Sequence, residues 1–150
     1  MKLLVSACLL GVACRYDGCA KPVPDIQRLA RRYDLIPVCP EIFGGLPTPR
    51  PPCELVGGSV LTREGADMTA AYEKGAAETL KLARLLGCHA ALLKDRSPSC
   101  GSGKIYDGSF SGTLKDGYGI TAELLHRENI RIYNEREIEE LLKKEEKLVD

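Results

Sequence analysis

No apolar run in this 150-residue chain approaches the ~20 residues that a membrane-spanning helix requires. Nor does either sign of charge dominate. Twenty-one Lys and Arg residues balance 21 Asp and Glu residues, so no global field favours nucleic acid or a membrane surface. The paired C-x2-C spacing that marks most structural zinc sites is absent. Five residues separate Cys8 from Cys14, and four separate Cys14 from Cys19. There are only two histidines, His89 and His126. One opens an expected strand and the other lies late in an expected helix, so neither is obviously placed as the base for a cysteine nucleophile. No internal repeat or P-loop is present, which argues against a solenoid and against an ATP site. The opening run Leu3–Cys14 is shorter than a usual signal peptide. A disulfide framework is therefore not expected, and the chain reads as cytoplasmic, with reduced thiols.

What the sequence does have is cysteine, seven in all, and their placement is not random. Lys2–Ala7 reads as a buried strand ending at Cys8, and Leu35–Cys39 as a second strand ending in its own cysteine. His89–Lys94 reads as a third strand that breaks into Ser97-Pro98-Ser99-Cys100-Gly101. Helices are expected from Asp25 as N-cap through Tyr33, from Asp67 or Thr69 through Leu86 with Gly87 closing it, and over Ile120–Glu128. A fourth strand is expected at Ile130–Tyr133, followed by a helix opened by an Asn134/Glu137 capping box. The end of that helix, Lys143–Lys147, is expected to be solvated.

Cys53–Val60 and Leu61–Met68, which contain Gly57-Gly58 and Gly65, suggest a short β-excursion or hairpin. Residues 37–52 hold six of the nine prolines, and residues 101–119 hold six glycines. The first is expected to be a stiff loop without helix, and the second a long irregular loop. The alternation of strand and helix predicts one α/β domain over residues 1–150, a three-layer, Rossmann- or flavodoxin-like, mostly parallel sheet with Gly/Pro-rich loops beyond its strand C-terminal ends. Ligands collect at that edge of such sheets, where Cys8, Cys39 and Cys100 would meet. Residues 1–50 carry seven Lys or Arg against four Asp or Glu, so a locally positive site is compatible with the neutral total.

Several chemistries fit thiols in that position. One is a zinc site, although its usual spacing is missing. A lone nucleophilic cysteine would need a base. A third is an iron–sulfur cluster held by three thiolates, which leaves one iron open as a Lewis acid. Unreactive buried thiols are the plainest alternative.

Seven linked blocks extend the comparison: Ser6-Ala7-Cys8-Leu9-Leu10-Gly11, Cys14-Arg15-Tyr16-Asp17-Gly18, Pro37-Val38-Cys39-Pro40-Glu41 with Gly44-Gly45-Leu46, Pro49-Arg50, Ser97-Pro98-Ser99-Cys100-Gly101, Ile105-Tyr106-Asp107-Gly108 and Gly119-Ile120-Thr121-Ala122. In this order they resemble the thiouracil desulfurase (TudS-like) family across nearly the whole chain. The resemblance implies a [4Fe–4S] cluster on Cys8, Cys39 and Cys100 with one open iron. It also implies the removal of sulfur from a thiolated uracil base or nucleoside, with release of hydrogen sulfide. The implied partners are that small-molecule substrate and the cluster-assembly machinery. Thiolated tRNA is the less favoured substrate because the chain lacks net positive charge.

Given that activity, Glu41 is the expected base for the attacking water, and Ser97 is expected to orient water or substrate. Arg50, Lys94 and Ser99 are expected to bind substrate, with Arg96 adding positive charge. Tyr106 and Tyr118 are candidates to stack on a planar base. Cys14 is open to three readings, a fourth ligand, a sulfur relay or a packing or outer residue, of which the last is favoured; Cys19, Cys53 and Cys88 are read as packing. The competing functional readings are a non-catalytic cluster- or metal-binding module and a thiol redox sensor.

Overall fold

The computed structural model describes the backbone of residues 1–149 and the side chains of residues 1–143. Its centre is a four-stranded parallel sheet of β1 (Lys2–Ser6), β2 (Asp34–Val38), β5 (Ala90–Leu93) and β8 (Arg131–Asn134), in the order β2-β1-β5-β8. The register runs from Lys2 opposite Asp34 to Ser6 opposite Val38, with Val5 opposite Leu92 and Leu92 opposite Tyr133.

Strand periodicity explains the two faces. Leu3 and Val5 point to one core, which they share with Leu29 of α1 (Ile26–Arg32) and with Leu141 and Leu142 of α5 (Ile138–Val149). Leu4, Ala91 and Leu93 point to the other, against Leu80 of α3 (Thr69–Leu86) and Leu125 of α4 (Ile120–Arg127). Leu3, Leu4, Leu92 and Leu93 are wholly buried, as expected of strands covered on both faces. The result is the three-layer α/β fold expected from the sequence. No helix among the described residues is long and apolar enough to cross a membrane.

The expected elements recur with shifts of one or two residues. The capping box forms, with Asn134 accepting the Arg136 N–H and Glu137 accepting the Asn134 N–H, although a short 3-10 turn precedes α5. Asp67 accepts the Thr69 N–H at 2.9 Å at the start of α3, and Gly87 closes that helix in the left-handed conformation. Asp25 sits at the N-cap position of α1 without a capping bond. Antiparallel β3 (Cys53–Val56) and β4 (Ser59–Thr62) form the hairpin. Lys143 is exposed; the rest of the Lys143–Lys147 stretch lies outside the described side chains.

Two expectations need correction. The proline-rich stretch contains a one-turn helix, α2 (Pro40–Phe43). Pro40 occupies its first turn, where a missing N–H costs nothing and the fixed φ suits the helix. The glycine-rich stretch contains a second antiparallel pair, β6 (Lys104–Tyr106) with β7 (Leu114–Asp116). It buries Ile105 against the β3–β4 hairpin and is tied there by Glu54, which accepts the N–H groups of Gly108 and Phe110.

The helix α2 lies on α3 with backbone against backbone. A Cβ on Gly75 would overlap the Pro40 carbonyl, and one on Gly44 would overlap the Ala71 carbonyl. Helix propensity alone would make Gly75→Ala stabilising by about 1 kcal/mol. The overlap falls on backbone that cannot rotate away, so we expect net destabilisation by about 1–3 kcal/mol. Urea unfolding of the two proteins checks the sign.

Candidate functional site

A cavity of about 550 Å³ opens beyond the C-terminal ends of β1, β2 and β5. Strand order reverses between β1 and β5, the place where such sheets bind ligands. Cys8, Cys39 and Cys100 all line it. Cys8 sits in a 3-10 turn, Ala7–Leu10, that continues β1 directly. Cys39 follows β2 as the extended N-cap residue of α2.

Cys100 is held by a turn that starts where β5 ends. Ser97 Oγ accepts the N–H groups of both Ser99 and Cys100 at 3.0 Å, and the Ser97 carbonyl accepts the Gly101 N–H at 2.9 Å. The first turn of α4 then docks on the same segment, with Ile120 N–H donating to Pro98 and Thr121 and Ala122 N–H donating to Ser99. The loop is fixed from both sides. Arg96, at its start, adopts φ 66°, a left-handed conformation that non-glycine residues seldom take without a surrounding structure that enforces it.

Burial dominates the thiols. It pushes Cys8 up to about 11, opposed by Lys94 and Arg15 and reinforced by Cys39. Burial pushes Cys14 up to about 12, with Cys39 and then Cys8 adding to the effect. Cys100 is raised as well, again chiefly by burial, with Cys8, Glu41 and Cys39 contributing. Cys14 lines the same cavity as Cys8, Cys39 and Cys100, and its carbonyl accepts from Cys39 Sγ at 3.9 Å. Cys14 therefore belongs to the site, a position its spacing alone did not reveal.

The donor set fits an iron–sulfur cluster. Soft thiols from three neighbouring strand ends face one cavity, with cationic Lys94 and Arg15 close enough to Cys8 to favour its thiolate. No group of three or more His, Cys, Asp or Glu among the described residues closes round a single metal ion. The thiols instead share a space much larger than an ion.

The polar residues divide by what already holds them. Glu41, in α2, pairs with Arg50, and both line the cavity. Lys94 Nζ lies 2.5 Å from Asp95 Oδ1 and 2.9 Å from Glu135 Oε2. Burial would lower its pKa, but the two carboxylates outweigh that and raise it, so Lys94 is a fixed cation. Its backbone N–H donates to Ser6 Oγ, joining the ends of β5 and β1. Ser99 is buried on the cavity wall, with its hydroxyl 3.0 Å from that of Thr121. Ser97 lines the cavity too, and having accepted two N–H bonds it still has its own hydroxyl proton to donate.

Tyr106 lines the cavity as expected, whereas Tyr118 does not, stacking on His126 with ring centres 5.3 Å apart. Tyr72 is an addition. It lies in α3 and borders the cavity. Burial raises its hydroxyl pKa well above the ordinary phenol range, with Glu41 and Cys53 pushing the same way.

Residues 3–137 match the family described as 2-thiouracil desulfurase. An uncharacterised Bacillus subtilis (strain 168) protein, YbbK, is 41% identical over 150 residues, covering 93% of this chain and 99% of its own. A solved structure described as TudS, a [4Fe–4S]-dependent thiouracil desulfidase, superposes with a TM-score of 0.90. It is 46% identical, and the match covers 93% of this chain and 94% of that one.

Proposed function

The chain belongs to the 2-thiouracil desulfurase family, and on that premise we propose that it is a [4Fe–4S]-dependent desulfidase converting the C=S group of a thiolated uracil base or nucleoside to C=O. The observation that carries the reading is the convergence of three strand-end thiols and the Glu41 carboxylate on one cavity. Residues 1–150 act as one catalytic unit, and the cytoplasm is the compartment that keeps its thiols reduced. Family membership favours this reading over a non-catalytic cluster-binding module or a thiol redox sensor.

Cys8, Cys39 and Cys100 would hold the cluster, which the cluster-assembly machinery would supply. When bound, it provides an iron free of protein ligand as a soft Lewis acid for the thiocarbonyl sulfur. The protein supplies the rest. Glu41 takes a proton from water as that water attacks the C=S carbon. The Ser97 hydroxyl donates to the substrate ring or the attacking water. Ser99 and Lys94 form the wall beside them, with Lys94 contributing fixed positive charge as the departing sulfur gains negative charge. One water is consumed, and the products are the uracil carbonyl compound and hydrogen sulfide.

Neutral net charge favours a small substrate over tRNA, whose phosphates call for a basic face. The test is anaerobic incubation of the iron-loaded protein with 2-thiouracil, following uracil and sulfide together. Equal amounts of both are expected. Bound iron without release of either would leave only a binding module.

A further inference from the structure

The Arg50 guanidinium is only 4% exposed, and each of its three nitrogens is already engaged. Nε and Nη2 both approach Glu41 Oε2. Nη1 donates to the Pro47 carbonyl at 3.2 Å and to Thr48 Oγ1 at 3.0 Å, while Nη2 also reaches the Cys14 carbonyl at 2.9 Å. The Arg50 backbone N–H donates to the Tyr16 carbonyl at 2.8 Å. A guanidinium so buried and so committed is poorly placed to bind a substrate.

We infer that Arg50 is a positioning residue for Glu41 rather than a substrate-binding one. Both of its contacts converge on Glu41 Oε2, which fixes that carboxylate against the guanidinium. The bonds to Thr48, Pro47 and Cys14 fix the guanidinium itself. Through them the Cys14 segment and the proline-rich segment are joined beneath Glu41, two residues from Cys39. Lysine cannot replace this arrangement, because a compact ammonium cannot span four partners lying in different directions. The inference rests on the desulfidase reading, with Glu41 as base.

The test is a double-mutant cycle on the iron-loaded enzyme with 2-thiouracil, comparing wild type, Arg50→Lys, Glu41→Gln and the double variant, with iron content measured for each. Arg50→Lys is expected to lower kcat about 10- to 100-fold, as changes to supporting shells commonly do, while KM and iron content stay near wild type. In the Glu41→Gln background the same change is expected to cost little more. A rise in KM at preserved kcat, or an equal loss with and without Glu41, would overturn the inference.

Should Arg50→Lys fail to fold or load iron, Thr48→Val decides instead. It removes one anchor of the guanidinium and leaves its charge, so kcat is expected to fall about fivefold, the equivalent of one hydrogen bond of about 1 kcal/mol, at unchanged KM. No change in kcat would overturn the inference. A wild-type protein that releases no sulfide defeats the desulfidase reading as well, whereas wild-type turnover with additive losses defeats this inference alone.

Discussion

Cys39→Ala is expected to reduce bound iron from about four atoms per chain to background and to abolish sulfide release. The loss should be complete because thiolates are the only protein ligands proposed, and two of them cannot hold a cluster with an open iron against solvent. The fold should survive. Cys39 is only half-buried, at the N-cap position of a one-turn helix whose bonds come from backbone, with Phe43 N–H on the Cys39 carbonyl and Gly44 N–H on that of Pro40. Alanine keeps those bonds. Circular dichroism and urea unfolding of the metal-free proteins therefore separate ligand loss from unfolding.

Cys14→Ala is the informative control. Cys14 shares the cavity but is expected to keep its iron on substitution, because the three strand-end thiols suffice. Iron retained by Cys39→Ala, or lost from Cys14→Ala, would replace that ligand set by one that includes Cys14. Cys88 packs with Leu80 and Ile130 away from the cavity and should tolerate alanine with no loss of iron.

The contrast between Cys39 and Cys14 also marks how far the sequence could be read. Cys8 and Cys39 are legible because each ends an apolar run, and Cys100 because it sits in the Ser/Pro/Gly break after a third run; in a parallel sheet the strand ends share one edge. The resemblance to the desulfurase family rested on the same blocks. Cys14 lies in a loop with no periodicity to orient it, and its place depends on contacts with residues 25 and 36 positions away.

The Glu41–Arg50 pair was hidden for a related reason. Both residues were singled out, but nothing in a run of prolines says that two side chains nine residues apart will meet. The helix α2 is invisible to a reading of prolines as breakers, because Pro40 stands at the position where proline starts a helix. The approach of Gly44 and Gly75, which seats α2 on α3, is a tertiary fact that appears in sequence only as two glycines. Strands β6 and β7 have three residues each, too short for alternation to stand out among six glycines.

Glu41→Gln is the second large effect expected, a fall in kcat of about 10²- to 10⁴-fold, the usual range for removing a general base. This corresponds to about 3–5 kcal/mol of transition-state stabilisation. Two consequences of the substitution must be kept apart. Glutamine cannot take the proton from water, which lowers the rate. It also removes the charge that compensates Arg50, and breaking a buried ion pair can cost ~3–5 kcal/mol of stability when a cation is left unpaired.

The structure limits the second cost. Glutamine is the same size and keeps a carbonyl oxygen to accept from Arg50, while Thr48, Pro47 and Cys14 continue to hold the guanidinium. The variant is therefore expected to unfold at lower urea concentration yet to hold its iron under assay conditions. If kcat falls while iron content and KM remain, the carboxylate acts in the chemical step. If iron falls in proportion to activity, Glu41 is a structural partner of Arg50 and the base lies elsewhere. If full turnover persists, no base is needed at this position and the water must be activated by another group on the cavity wall.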